Sequence, residues 1–136
     1  MKAPDVVLRN ALLGNATVTG LIASRVRPVM FPSSTQLPYV AYRRTGIKRE
    51  QTLAGPMGVP TVTMEFSVFG STYESARTVA DAVRAVLDGY NGTSENTTVR
   101  QTSLESEADD LVQLAGAEIA NTYLITQTYD VMYQET

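Results

Sequence analysis

Across residues 59–69 the chain reads VPTVTMEFSVF, and apolar and polar side chains alternate. Val62, Met64, Phe66 and Val68 share one side, while Thr61, Thr63, Glu65 and Ser67 share the other. Successive side chains of a strand point to opposite faces, so this pattern predicts a strand buried on one face and open to solvent or a neighbour on the other. The period then changes. Ala76, Val79, Ala80, Val83, Val86 and Leu87 recur every three or four positions, the stripe of an amphipathic helix over residues 72–88. Ser71-Thr72-Tyr73-Glu74 fits a capping box, with Ser71 as N-cap and Glu74 reaching back. Gly89 supplies the stop. On the outer side, Arg77/Asp81 and Arg84/Asp88 stand at i,i+4, each pair adding ~0.3 kcal/mol.

The flanking segments give shorter patterns. Residues 4–13 read as a helix: Pro4 suits the first helical position, and Val7, Leu8, Ala11 and Leu12 share a face. Gly14 and Asn15 tolerate left-handed backbone angles and are expected to stop it. A second helical turn is expected over residues 17–23, with Val18, Leu21 and Ile22 as its apolar side. Residues 25–31 read as a strand cut by Pro28, which favours a sheet edge. Residues 32–36 are loop chemistry, and residues 37–45 a second strand whose start Pro38 fixes. Gly46, Gly55, Gly58, Pro56 and Pro60 mark residues 46–59 as a loop too long for a tight hairpin. Residues 90–97 read as polar linker, 98–105 as a strand and 105–116 as an acidic connection. Residues 120–133 close the chain as a strand with Tyr123, Ile125, Tyr129, Val131 and Tyr133 on one face. Strand runs with segregated helices predict a single α+β domain: an antiparallel sheet of about four to five strands with helices packed on one face.

Composition narrows the chemistry. A 136-residue chain that is 43% hydrophobic and 18% charged suits one folded domain. It has neither cysteine nor histidine, which removes disulfides, Cys/His zinc sites and histidine relays. No apolar run approaches the ~20 residues of a membrane span, and the first residues are not expected to be a signal peptide. The N-x-[ST] matches at Asn15, Asn91 and Asn96 are then chance sequons. No G-x-S-x-G elbow occurs, and Lys2 and Lys48 lie in segments expected to be exposed, where a Ser/Lys pair would not be activated. An enzyme is not expected; nor is any cofactor or metal.

Charge is unevenly placed. Residues 1–49 hold eight basic residues and one acid; residues 50–136 hold three basic residues and thirteen acids. If folding does not mix the halves, the molecule has a positive and a negative face, suited to head-to-tail self-association. Arg43, Arg44, Lys48 and Arg49 flank or enter the long loop, as a solvated tip or as contacts to a neighbour's acids. Glu105, Glu107, Asp109 and Asp110 form an acidic cluster without the spacing or glycine of an EF-hand loop. Its plainer reading is a solvated turn.

Three blocks carry a family resemblance. One is R-V-x-P…P-x-x-x-x-L-P-Y-V-x-Y between Arg25 and Tyr42. The second is VTMEFSVFGSTYESARTVADAVRAVLDG, and the third is the acidic SLESEADDL followed by TYLITQTYDVMY. Their order resembles the small tail completion proteins of long-tailed phages, the tail terminator or tail-to-head joining group. The resemblance covers most of the chain and implies a virion protein assembled in the host cytoplasm. Its members form a closed, usually six-fold ring on the head-proximal end of the tail tube, stop tube polymerisation and join the head. Implied partners are further copies of the chain, the tube protein and head–tail connectors, with DNA passing through the channel and no membrane. The loop at about 46–59 would contact a subunit or the tube, or face the channel, and the acids could line that channel. The alternatives are another connector ring, a stopper or adaptor, and a small non-enzymatic binding module.

Overall fold

The computed structural model describes residues 4–22, 26–28, 38–48, 51–52, 55–56, 60–94, 97–112 and 122–134. Among these residues three helices, α1 (Pro4–Leu13), α2 (Ala16–Ile22) and α3 (Tyr73–Leu87), accompany eight strands. The strands are β1 (Val26–Pro28), β2 (Tyr39–Lys48), β3 (Gln51–Thr52), β4 (Gly55–Pro56), β5 (Thr61–Gly70), β6 (Gly92–Ser94), β7 (Thr97–Val112) and β8 (Thr122–Gln134). Six of them form one sheet in the order β1-β2-β5-β8-β7-β6. Every neighbouring pair is antiparallel except β1 with β2, which is parallel. The expected α+β domain is therefore present, with β1 at the edge where Pro28 placed it.

Alternation along β5 sets the two faces. Val62, Met64, Phe66 and Val68 are fully buried, while the residues between them are half-buried on the open side. β8 follows suit with Ile125, Tyr129, Val131 and Tyr133. Helix α3 lays its stripe of Ala76, Val79, Ala80, Val83 and Leu87 over β5, β8 and β7. Helix α1 covers β6 and β7 and packs on α3, contributing Val7, Leu8 and Leu12 to the same core. Tyr42, Phe66 and Tyr129 cross the sheet as an aromatic row, with ring centroids 5.6 and 5.7 Å apart. The Arg9 Nε donates to the Val26 carbonyl at 3.1 Å, tying α1 to the edge strand.

β5 and β8 pair without interruption from Thr61/Met132 to Gly70/Tyr123. The strands on either side are bulged, β2 between Arg44 and Gly46 and β7 twice, between Val99 and Gln101 and between Leu104 and Ser106. Bulges bend and twist a strand, so the sheet curls on both sides of a regular central antiparallel pair.

Several expectations need correcting. The N-cap of α3 is Thr72, not Ser71: its hydroxyl accepts from Ser75 N at 3.1 Å. α1 ends at Leu13 as expected, and Asn15 has a further part as the cap of α2: its Oδ1 accepts from Thr17 N and Val18 N at 3.0 and 3.1 Å. The polar linker contains β6, which pairs with the start of β7. Strand β2 does not end at Thr45 but runs to Lys48, and the segment beyond holds the β3–β4 hairpin instead of an irregular loop. The acidic connection is strand: β7 continues to Val112. In each long case pairing with a neighbour overrides weak local strand preference. The segment at 32–36 lies outside the described residues.

Two glycines are required by geometry. Gly89 has φ +81° after the C-cap Asp88, and its N–H donates to Thr102 O at 2.7 Å. A Cβ on Gly70 would stand 2.8 Å from the backbone N of Ala76, where β5 meets α3. Gly70→Ala is therefore expected to lower stability by about 1–3 kcal/mol through overpacking, read as a lower urea midpoint at unchanged slope.

Candidate assembly surfaces

The sheet's central strand carries a polar group on its buried face. Gln127 is fully buried between Ile125 and Tyr129. Its Nε2 donates to Ala80 O at 2.9 Å, inside α3, and to Glu107 Oε2 at 2.6 Å on β7. Its Oε1 accepts from the Tyr129 hydroxyl at 2.7 Å. Glu107 in turn accepts from Arg77 Nη2 at 2.7 Å. Arg77 also reaches Asp81 at 3.1 Å and Asp109 at 3.5 Å, and Tyr73 donates its hydroxyl to Asp109 at 2.9 Å. Burial works against the Arg77 charge, but bonding and attraction to Glu107, helped by Tyr73 and Asp81, hold its pKa above the ordinary arginine value. Burial, with the charges of Asp88 and Glu107, pushes the Tyr129 hydroxyl well above the usual tyrosine pKa.

This network changes the account of the acids. Glu105, Glu107, Asp109 and Asp110 all lie on β7, not in a turn. Glu107 and Asp109 face the helix side and converge on Arg77. Glu105 occupies the bulge and, with Ser103, Asp130 and Thr61, borders a shallow hollow of about 190 Å³ on the open face. Among the described residues no three acids are placed to hold a metal ion. Arg84 turns to Asp81 at 3.9 Å, while Asp88 accepts from Leu104 N at 3.2 Å, so the expected Arg84/Asp88 pair is replaced.

The basic residues occupy the other side of the sheet. Arg43, Arg44 and Lys48 lie on β2; Arg49 lies outside the described residues. Arg43 pairs across to Glu65 of β5 at 3.3 Å with its side chain 60% exposed, and Arg44, Thr45, Gly46 and Ile47 are also exposed. Strands β5 and β8 stand between this basic run and the acidic one. The open face between them presents Thr61, Thr63, Ser67, Thr126 and Thr128, and Thr63 Oγ1 donates to Asp130 at 3.0 Å. Among the described residues no helix is long and apolar enough to cross a membrane.

The sequence model of the family described as tail completion protein gp17 matches residues 6–133. The chain belongs to that family. It is a structural protein of a phage tail. The fold agrees with a solved chain from the virion of a native gene transfer agent particle, at TM-score 0.75 and 15% identity over 93% of this chain and 91% of that one. A second solved chain aligns at 18% identity and TM-score 0.49 over 95% of both chains, too distant to carry an argument. No curated protein matches the sequence.

Of this constellation the sequence reading had the charged residues but missed Gln127. Its signal was present: a polar residue at the two-residue spacing between Ile125 and Tyr129. Gln127→Leu is expected to lower stability by about 1–3 kcal/mol, because the Tyr129 hydroxyl loses its acceptor and Glu107 loses a donor. Adding Tyr129→Phe should recover part of that loss in the same urea titration. The raised Tyr129 pKa gives a pH dependence. Its stabilisation is fully present below the unfolded value of 10.0 and is lost as pH rises through the folded value. Wild-type stability should begin to fall as pH rises past 10.0, and Tyr129→Phe should flatten the decline.

Proposed function

We propose that this tail completion protein forms a closed, six-fold ring on the head-proximal end of the tail tube. The ring ends tube polymerisation and presents the surface to which head connectors attach. Its role is architectural, not enzymatic, and DNA passes through its channel without sequence-specific binding. Assembly takes place in the host cytoplasm.

One observation carries the reading. In a fold of the tail completion family, the basic run of β2 and the acidic run of β7 lie on opposite sides of the sheet, separated by β5 and β8. Unlike surfaces at the two ends of one subunit favour head-to-tail contacts, which close into a ring when the rotation permits. The acids are better assigned to such contacts than to a channel lining, since Glu107 and Asp109 are already held by Arg77. The segment after β2 extends the basic end as the β3–β4 hairpin, available to a neighbouring subunit or the tube.

Negative-stain images of headless particles test the position. Rings on free tube ends are expected. Rings found only on filled heads would move the protein to the stopper or adaptor level, and a strict monomer indifferent to added tubes would leave only a binding module. Arg43→Glu with Arg44→Glu should abolish most tail assembly while circular dichroism shows an intact fold; unchanged assembly would count against the charged contact.

A further inference from the structure

Two strands of the sheet are only partly covered at their outer edges. β1 pairs with Val40 and its two neighbours on β2, from Val26↔Val40 to Pro28↔Tyr42. β6 pairs with Thr97, Thr98 and Val99 of β7. Among the described residues no strand pairs with the outer edge of residues 43–48 or of residues 105–110. The side chains from Arg43 to Ile47 and from Glu105 to Asp109 are exposed, and Ile47 is 41% exposed, one of few large apolar groups left outside. A free strand edge presents unpaired N–H and C=O groups and is a template for another strand.

We propose that copies of this chain join edge to edge, residues 43–48 of β2 in one copy adding to residues 105–110 of β7 in the next. The inference rests on the ring reading and specifies its contact. Direction follows from the topology. β2 runs against β5, β5 against β8 and β8 against β7, so β2 and β7 point opposite ways within one copy. Copies related by rotation about a ring axis keep that sense, and the new pair is antiparallel. With the bulged Thr45 left out of the pleat, the alignment sets Arg43 opposite Asp110, Arg44 opposite Asp109, Gly46 opposite Ala108 and Lys48 opposite Ser106, next to Glu105, each pair on one face.

Charge selects this pairing over its competitors. Two β2 edges would set arginines and Lys48 against one another, and two β7 edges would set acids against acids. Like charges directly opposite destabilise a strand pair, while opposite charges stabilise it. Identical edges therefore repel and unlike edges attract, which rules the two-fold dimer out and leaves a heterologous contact. Arg77 remains satisfied throughout, because Glu107 and Asp81 hold it independently of Asp109.

The absence of cysteine from the sequence makes the test clean. Gly46→Cys combined with Ala108→Cys in the full chain places two thiols on directly opposite residues of the new pair, and a Cβ at Gly46 meets no atom within 4 Å. Cβ atoms at such positions stand ~5 Å apart, close to disulfide reach. Concentrated protein, with and without purified tail tubes, is oxidised and run on a non-reducing gel. A ladder of covalent multimers in the double variant, and no ladder in either single variant, is the expected result. Oligomers seen by light scattering that fail to cross-link would overturn the edge pairing, as would single variants that cross-link as well as the double one. Lys48→Cys with Ser106→Cys, two positions on the open face, provides a second pair should the first variant fold poorly by circular dichroism. Cross-linked rings that do not bind tubes would refute the tail cap and keep the pairing; rings on tubes that resist cross-linking would do the reverse. In parallel, Arg43→Glu with Arg44→Glu should weaken self-association ~10-fold or more, about 1.4 kcal/mol. Adding Asp109→Arg with Asp110→Arg should restore it.

Discussion

The buried amide of Gln127 is the interaction on which the arrangement of the molecule depends. Apolar packing brings α3 onto the sheet, but packing is non-directional and would tolerate a shifted or rotated helix. The bond from Gln127 to the Ala80 carbonyl fixes the height of α3 along β8. The bond to Glu107 fixes β7 against the same point, and Glu107 then orients Arg77, which gathers Asp81 and Asp109. An amide has several donors and acceptors, and here Ala80, Glu107 and Tyr129 all engage it. A buried polar group that is satisfied on every side constrains geometry more than it adds net stability.

That constraint has an electrostatic consequence. Folding could have mixed the basic first part of the chain with the acidic remainder. Strand order keeps them apart, because the regular β5–β8 pair occupies the middle of the sheet. Local pairing trims the asymmetry without removing it: Arg43 meets Glu65 across two strands, and Arg77 absorbs part of the β7 charge. Exposed ion pairs of this kind contribute little to stability. Their importance for a tail protein lies in choosing which surfaces meet and in what orientation.

The bulges fit the same picture. A sheet that curls at β2 and at β7 turns its two outer strands away from the plane of the central pair. Free edges on a flat sheet invite indiscriminate pairing; curled edges bearing charge of one sign each restrict it. On the proposed ring, such edges would accept one kind of neighbour, an unlike edge presented at the matching angle.

The sequence by itself determined whatever depends on residues close along the chain. The alternation of β5, the stripe of α3 and the helix at Pro4–Leu13 follow from side-chain period and were legible without coordinates. The class of fold followed from their order, and the charge asymmetry from counting. Tertiary structure decided the rest, because it depends on partners distant in sequence. Residues 105–112 lack a strand pattern of their own and become strand because β8 offers them a ladder. Residues 46–48 extend β2 for the same reason, against β5. Thr72 rather than Ser71 caps α3, since backbone geometry selects between adjacent hydroxyls. Gln127 interrupts the apolar face of β8, and its partners exist only once α3 and β7 stand on either side of it. Side-chain period is a local property, but satisfaction of a buried polar group is defined only once the chain has closed around it.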